Sequence, residues 1–118
     1  MAAERVAAVP PADVPAKIII CYVPVGAAAE LLIYLSSASA VIAVNLATGR
    51  GATGAGAFGL ADEIAIFTVA AEAARADEIF ADIFERGQID RPGGGVVFMH
   101  PARRSTGFKL PDLPAEGA

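Results

Sequence analysis

Runs of apolar residues divide the first half of the chain into three elements. Residues 16–25 (AKIIICYVPV) are rich in β-branched side chains and are followed by a glycine, which predicts a strand. Residues 27–38 (AAAELLIYLSSA) contain good helix formers with three leucines on one side, which predicts a helix. Residues 40–47 (AVIAVNLA) are again apolar and predict a second strand.

The second half of the chain repeats this order of strand, helix and strand. Residues 62–70 (DEIAIFTVA) predict a third strand, and residues 96–100 (VVFMH) predict a fourth. Between them, residues 72–86 place apolar side chains on one stripe and acidic side chains elsewhere, which predicts an amphipathic helix that ends at Gly87. The stripe consists of Ala76, Ile79, Phe80 and Ile83.

Two segments without a regular pattern of apolar residues predict where a single domain begins and ends. Residues 1–15 hold three prolines and predict a flexible N-terminal tail, and residues 108–118 predict an irregular C-terminal tail. The domain itself is expected to span residues 16–107. Within it, residues 48–59 contain five glycines and predict a flexible loop between the second and third strands.

The predicted order of elements is βαββαβ. Two β-α-β units that follow each other in this way are typical of the ferredoxin-like fold, an α+β arrangement in which two helices cover one face of an antiparallel sheet. This fold hosts many unrelated functions, so the function has to be argued from particular residues.

Composition narrows the classes of function. Apolar residues make up 55% of the 118 residues and charged residues only 19%, which predicts that apolar surface is buried between subunits. A net charge of −4 argues against nucleic acid as a partner. A single cysteine and a single histidine exclude an intramolecular disulfide and a cysteine- or histidine-rich metal site, so a reducing, cytoplasmic setting is expected.

A membrane span is the main alternative for the early part of the chain. Residues 18–47 carry one charged side chain, Glu30. The stretch is interrupted by Pro24, Gly26 and Asn45, and it divides into strand, helix and strand of ordinary length. The pattern therefore favours a globular domain that does not span a membrane.

A cluster of glycines and arginines near the C-terminal end is the strongest candidate for a binding site. Four of the nine basic residues lie within residues 85–107, and three consecutive glycines lie between them. Glycines allow the backbone to aim several N–H groups at one anion, and arginine adds charge-assisted hydrogen bonds. The alternative is a plain glycine turn beside solvated arginines. A second glycine-rich stretch, TGRG, follows the second strand.

These stretches resemble the PII signal-transduction proteins. The resemblance lies in the order of elements over residues 16–107, the loop after the second strand, GQI after the second helix, the glycine turn before the last strand and the basic PARRSTG beyond it. It implies a homotrimer that binds ATP or ADP in clefts between subunits and contacts a target through the loop after the second strand, the T-loop.

The resemblance also assigns roles to individual residues. Arg50 resembles the T-loop arginine that reaches the nucleotide phosphates, and Gly87 resembles the first glycine of the family's TGKIGDGK stretch. Arg103 and Arg104 resemble two C-terminal arginines that contact phosphate. The predicted nucleotide-binding residues are Gly49, Arg50, Gly51, Gly87, Arg91, Gly93, Gly94, Gly95, Arg103 and Arg104.

Two departures from the family point to a PII-like relative instead of a standard nitrogen regulator. DRPGGG replaces the family's GDGK, so its lysine has no counterpart, and Arg91 is the residue nearest to that position. The loop at 48–59 also lacks the tyrosine that is uridylylated in enterobacterial members. AMP therefore joins ATP and ADP as a candidate ligand, and the subgroup linked to bicarbonate uptake or carboxysomes is favoured. The expected target is a transporter or a carbon or nitrogen uptake system.

Two other classes remain as alternatives. A trimeric ferredoxin-like protein can bind metal or act as a scaffold, as the copper-tolerance divalent-cation proteins do, but the ligands for a metal are sparse here. An enzyme of the same fold would use the arginine site for a substrate. No Ser/His/Asp set, cysteine–histidine pair or tight carboxylate pair is visible in the sequence, so we expect no catalytic activity.

Overall fold

Six elements follow one another in the order βαββαβ in the computed structural model of the protein, which describes residues 15–51 and 62–102. A short 3₁₀ turn precedes each helix. The elements are β1 (Ala16–Pro24), α1 (Ala28–Ser37), β2 (Val41–Gly51), β3 (Asp62–Glu72), α2 (Ala76–Arg86) and β4 (Val96–Pro101).

The four strands form one antiparallel sheet in the order β2-β3-β1-β4. Each β-α-β unit is split, because β3 lies between β1 and β2, and β1 lies between β3 and β4. This is the ferredoxin-like arrangement, so the predicted fold class is confirmed.

The core lies between one face of the sheet and the two helices. Alternate residues of the two central strands point to this face, which is the period that a strand imposes. The helices cover it with the apolar stripes that the sequence predicted. The fully buried side chains include Ile19, Cys21 and Val23 on β1, Phe67 and Val69 on β3, Leu31 and Leu35 on α1, and Ile83 on α2.

Several of the predicted element boundaries are wrong. Residues 48–51 continue β2 and do not belong to a loop: Thr48 pairs with Ala65, and Gly51 pairs with Asp62. At the other end of the hairpin, Glu72 is the last residue of β3, and α2 begins four residues later than predicted, at Ala76. Likewise α1 begins at Ala28 and ends at Ser37, one residue inside each predicted bound. Pairing across the hairpin extended both strands, and no local propensity signalled it.

The second face of the sheet, which we call the open face, carries mostly apolar side chains. Among the described residues, both helices pack on the opposite face. On β4, Val96 is 44% exposed and Phe98 is 40% exposed, and the Phe98 ring lies 6.2 Å from the ring of Tyr22. The register places further apolar residues on this face: Ile18 and Ile20 on β1, Ile64, Ile66 and Ala70 on β3, and Ala43 and Ala47 on β2.

The segment considered as a membrane span is divided among three elements. Residues 18–47 run through β1, α1 and the first part of β2. Within the described parts of the chain, neither helix has the length and the apolar character needed to cross a bilayer.

Candidate functional site

One end of the sheet, which we call the loop end, carries both glycine-rich stretches. The antiparallel register brings together here the last residues of β1 and β2 and the first residues of β3 and β4. Arg50 is therefore at the same end as Gly95, but β2 and β4 are the two opposite edge strands. Three strand spacings separate them, which amounts to about 14 Å. One chain does not close these residues around a single phosphate.

The three glycines between α2 and β4 are required by the path of the chain. Gly93 and Gly95 have φ values of 76° and 103°, which side-chain-bearing residues rarely adopt. A Cβ atom on Gly95 would overlap the carbonyl oxygen of Tyr22, and one on Gly94 would overlap that of Gln88. The loop thus turns sharply against the end of β1, where only glycine fits.

One of the three predicted backbone donors is already engaged. The N–H of Gly94 donates a hydrogen bond to the carbonyl oxygen of Arg91, at 3.0 Å, and so closes the turn. The N–H groups of Gly93 and Gly95 are the donors on which the predicted anion site depends. Gly87, the first glycine of this region, is the C-cap of α2 and packs close to the side chain of Val23.

A cavity of about 390 Å³ lies at the loop end, where α1 begins and α2 ends. Glu30 in the first turn of α1 and Arg86 in the last turn of α2 both line it, positions that the helix dipoles favour for their charges. Arg91 is the one predicted site residue among its lining. The complete lining is Glu30, Asp82, Glu85, Arg86, Gln88 and Arg91.

Beside this cavity, three side chains connect the two helices. The Tyr34 hydroxyl on α1 donates a hydrogen bond to the Asp82 carboxylate on α2. The guanidinium carbon of Arg86 lies 4.3 Å from the centroid of the Tyr34 ring, which is a cation–π contact. Burial, followed by the hydrogen bond to Asp82, raises the pKa of Tyr34 from 10 to about 12. The phenol is therefore neutral and holds its donor on Asp82 over the physiological range of pH.

The stacked guanidinium keeps its hydrogen-bond donors. Among the described residues, no carboxylate lies within 4.0 Å of the Arg86 nitrogens. Arg91 differs, because its Nε lies 3.6 Å from the neighbouring Asp90 carboxylate. Stacking uses the flat face of a guanidinium and leaves the N–H groups at its edge available to an anion.

Sequence reasoning missed this connection between the helices. Asp82 and Arg86 are four residues apart on α2, and Glu30 and Tyr34 are four residues apart on α1, so each pair shares one helix face. That spacing was the available signal. It does not show that the two faces meet, which depends on how α1 and α2 pack.

The remaining predicted residues fall in two places. Gly49, Arg50 and Gly51 lie in β2, an edge strand of the sheet, and do not line the cavity. Arg103 and Arg104 lie outside the described residues. The described chain ends at Ala102, whose N–H donates to the carbonyl oxygen of Ala16 at 3.2 Å, at the end of the sheet opposite Gly95.

The single cysteine and the potential metal ligands of the described residues can also be located. Cys21 is fully buried in the core, and burial raises its thiol pKa to about 12. Within residues 15–51 and 62–102, no group of three or more His, Cys, Asp or Glu side chains is placed to hold a metal ion.

The fold is shared with proteins of known structure. No protein-family model and no curated protein sequence matches the chain. A DUF3240 family protein from Shewanella baltica superposes with a TM-score of 0.63 at 10% identity, over 80% of this chain and 97% of that one. A functionally unknown protein from Pediococcus pentosaceus gives 0.63 at 17% identity, over 80% and 99%.

A third similar structure is a complex of GlnK with ATP from B. subtilis. Its TM-score is 0.58 at 11% identity, and the match covers 75% of this chain and 85% of that one. At identities this low, the three similarities show the fold and nothing more specific.

Proposed function

We propose that the protein is a PII-like regulator that senses ATP, ADP or AMP in clefts between the subunits of a homotrimer. Its target would be a transporter or another part of a carbon or nitrogen uptake system, contacted from the cytoplasm through the segment that follows β2. GlnK, a PII protein of the same fold, was solved with ATP, which supports this choice among the functions that the fold hosts.

The observation that carries the proposal is the placement of the two glycine-rich stretches. Arg50 and Gly95 lie at one end of the sheet, on opposite edges. In a trimer whose three-fold axis runs roughly along the strands, a neighbouring copy beside an edge strand would bring its own loop end next to this one. The phosphate contacts expected of Arg50 and of the glycine loop then come from different subunits, and a cleft between subunits is the site that fits.

The open face supports an assembly of this kind. A surface with Tyr22, Val96 and Phe98 in contact with water is unfavourable, and burying it between subunits stabilises an oligomer by about 25 cal/mol for each Å² removed from water. The described part of β4 ends at the end of the sheet opposite Gly95, so the phosphate contacts of Arg103 and Arg104 are proposed from the resemblance to PII proteins and not from this placement.

Signalling would arise from ordering of the glycine-rich segment after Gly51. Fixing a glycine costs more backbone entropy than fixing any other residue. Phosphate contacts made by Arg50 would offset that cost only when nucleotide is bound. The surface offered to the target would then depend on which adenylate is present.

The test is calorimetric titration of the purified protein with ATP, ADP, AMP and cyclic AMP, each with and without bicarbonate and 2-oxoglutarate. Micromolar binding of one adenylate supports the proposal, and the ranking of affinities identifies the signal. A trimer that gives no heat with any adenylate contradicts nucleotide sensing and favours the scaffold alternative. Turnover of a bound nucleotide would point to an enzyme.

Single arginine substitutions test the assigned contacts. Arg50→Ala, Arg103→Ala and Arg104→Ala should each weaken adenylate binding by about 1.5–3 kcal/mol for each charge-assisted hydrogen bond lost. Arg75→Ala is the matched control, because Arg75 lies at the other end of the sheet, where it contacts Glu78 and Ser39. Equal affinity in a variant and the control removes that arginine from the site.

A further inference from the structure

The cavity between α1 and α2 presents charges of both signs. Its lining contains the guanidinium groups of Arg86 and Arg91 and the carboxylates of Glu30, Asp82 and Glu85. A free anion entering it would gain contacts with two arginines but would be repelled by three carboxylates. A simple cation would meet the reverse difficulty. The charge pattern therefore suits a ligand that carries both charges.

Arg86 is held ready for the anionic part of such a ligand. Its guanidinium is stacked on the Tyr34 ring, and Tyr34 is in turn held by its hydrogen bond to Asp82. A guanidinium that is already positioned loses less side-chain entropy when it binds a carboxylate. Among the described residues no carboxylate of the protein occupies its donors.

The three carboxylates that line the cavity differ in their contacts within the chain. Asp82 accepts the Tyr34 hydrogen bond, but Glu30 and Glu85 are exposed and line the same cavity. An ammonium group is the complementary partner for such carboxylates, because it offers three hydrogen-bond donors and a compact positive charge. The volume of about 390 Å³ is near the lower end of the range for small-molecule sites.

We propose that this cavity binds a small zwitterion of the free amino-acid class, with its carboxylate on Arg86 and Arg91 and its ammonium group facing Glu30 and Glu85. The site lies within one subunit and needs no neighbouring copy. Binding at this site does not depend on adenylate binding. The amino acid would be a second effector, and it would act on the junction of α2 with the glycine loop.

The experiment is a calorimetric titration of the full chain, without nucleotide, with glycine, L-glutamate, L-glutamine and L-arginine. For the amino acid that binds best, two derivatives follow: its Nα-acetyl form, which lacks the α-ammonium charge, and its α-carboxamide, which lacks the α-carboxylate. Both should bind at least about tenfold more weakly than the parent. A derivative that binds as tightly as the parent, or an absence of binding by all four amino acids at millimolar concentration, overturns the proposal.

Variants locate the site. Arg86→Ala and Glu30→Gln should each weaken amino-acid binding by about tenfold or more, whereas the controls Arg75→Ala and Asp77→Asn, at the far end of α2, should not. Tyr34→Phe keeps the ring under Arg86 and should retain more affinity than Tyr34→Leu, which removes it. Wild-type affinity in both Arg86→Ala and Glu30→Gln would place any observed binding elsewhere and reject this cavity.

Discussion

At the residue scale, glycine sets the shape of the loop between α2 and β4. Gly93 and Gly95 both have positive φ, but they differ in what surrounds them. Gly93 has open space on the side where a Cβ atom would stand, whereas Gly95 lies directly against the backbone of Tyr22. A side chain at Gly93 therefore meets only backbone strain, and one at Gly95 meets strain and steric overlap together.

Alanine substitution at these glycines should give a graded loss of stability. We expect Gly95→Ala to lower the free energy of unfolding by about 3 kcal/mol, because β1 or the loop has to move, and Gly93→Ala to lower it by about 1 kcal/mol. Urea unfolding at one fixed protein concentration measures both values.

Gly26 provides the control for this series. It has no positive φ, and nothing lies within 4 Å of the position that the methyl group of an alanine would take. Gly26→Ala should therefore change the free energy of unfolding by less than about 0.5 kcal/mol. If Gly95→Ala is as stable as Gly26→Ala, the close approach of the loop to β1 is wrong.

At the scale of elements, the contact between α1 and α2 is polar as well as apolar. Both helices cover the same sheet face, and the Tyr34–Asp82 hydrogen bond joins them beside the buried side chains of Leu35 and Ile83. The bond requires a neutral phenol, because a phenolate has no proton to donate and would face the Asp82 carboxylate.

This contact should make the free energy of unfolding depend on pH in the alkaline range. The folded protein raises the pKa of Tyr34 from 10 to about 12, chiefly through burial and then through the Asp82 hydrogen bond. The native state therefore holds the proton more tightly than the unfolded chain does. The associated stability is fully present below pH 10 and is lost as the pH rises toward about 12. Unfolding measured across this interval should show a steeper decline in wild type than in Tyr34→Phe.

A difference in phenolate absorbance isolates the titration of Tyr34. Subtracting the phenolate absorbance of Tyr34→Phe from that of wild type, over an alkaline titration, should leave one transition with a midpoint near 12. A midpoint at the ordinary tyrosine value of about 10 would contradict the part-buried hydrogen bond to Asp82.

At the scale of the whole molecule, the two faces of the sheet are unequal. One face is covered by helices, and the open face leaves apolar side chains such as Phe98 and Val96 in contact with solvent. The high apolar content of the chain thus extends beyond the core to a surface that a neighbouring subunit can cover.

A charge on the open face should disrupt the proposed trimer. Phe98→Glu places a carboxylate on this face and should convert the trimer to monomer, as measured by light scattering coupled to size-exclusion chromatography. Ile33→Glu is the matched control, because Ile33 is 71% exposed on α1, away from the open face, and should leave the mass unchanged. A trimer that survives Phe98→Glu but is lost in Ile33→Glu would place the interface on the helices.

Local sequence patterns were sufficient for the elements and the fold class. β-branched runs such as that of β1, the leucine side of α1 and the apolar stripe of α2 are periodic over enough residues to define which face is buried. They were insufficient for strand ends. The glycines of residues 48–51 are typical of a loop, yet pairing with β3 holds this segment in the sheet.

The candidate site, too, could be predicted from the sequence only in part. Its residue types were visible in the sequence, because glycine triplets and arginines have chemistry that does not depend on their neighbours. The positions of these residues in the fold were not visible in the sequence. Arg50 lies about three strand spacings from Gly95, and Arg91 lines a cavity that is also lined by carboxylates. The stacking of Arg86 on Tyr34 also joins residues of different helices. Periodicity is a property of one segment, whereas contacts between segments arise only when sheet order and helix packing bring distant parts of the chain together.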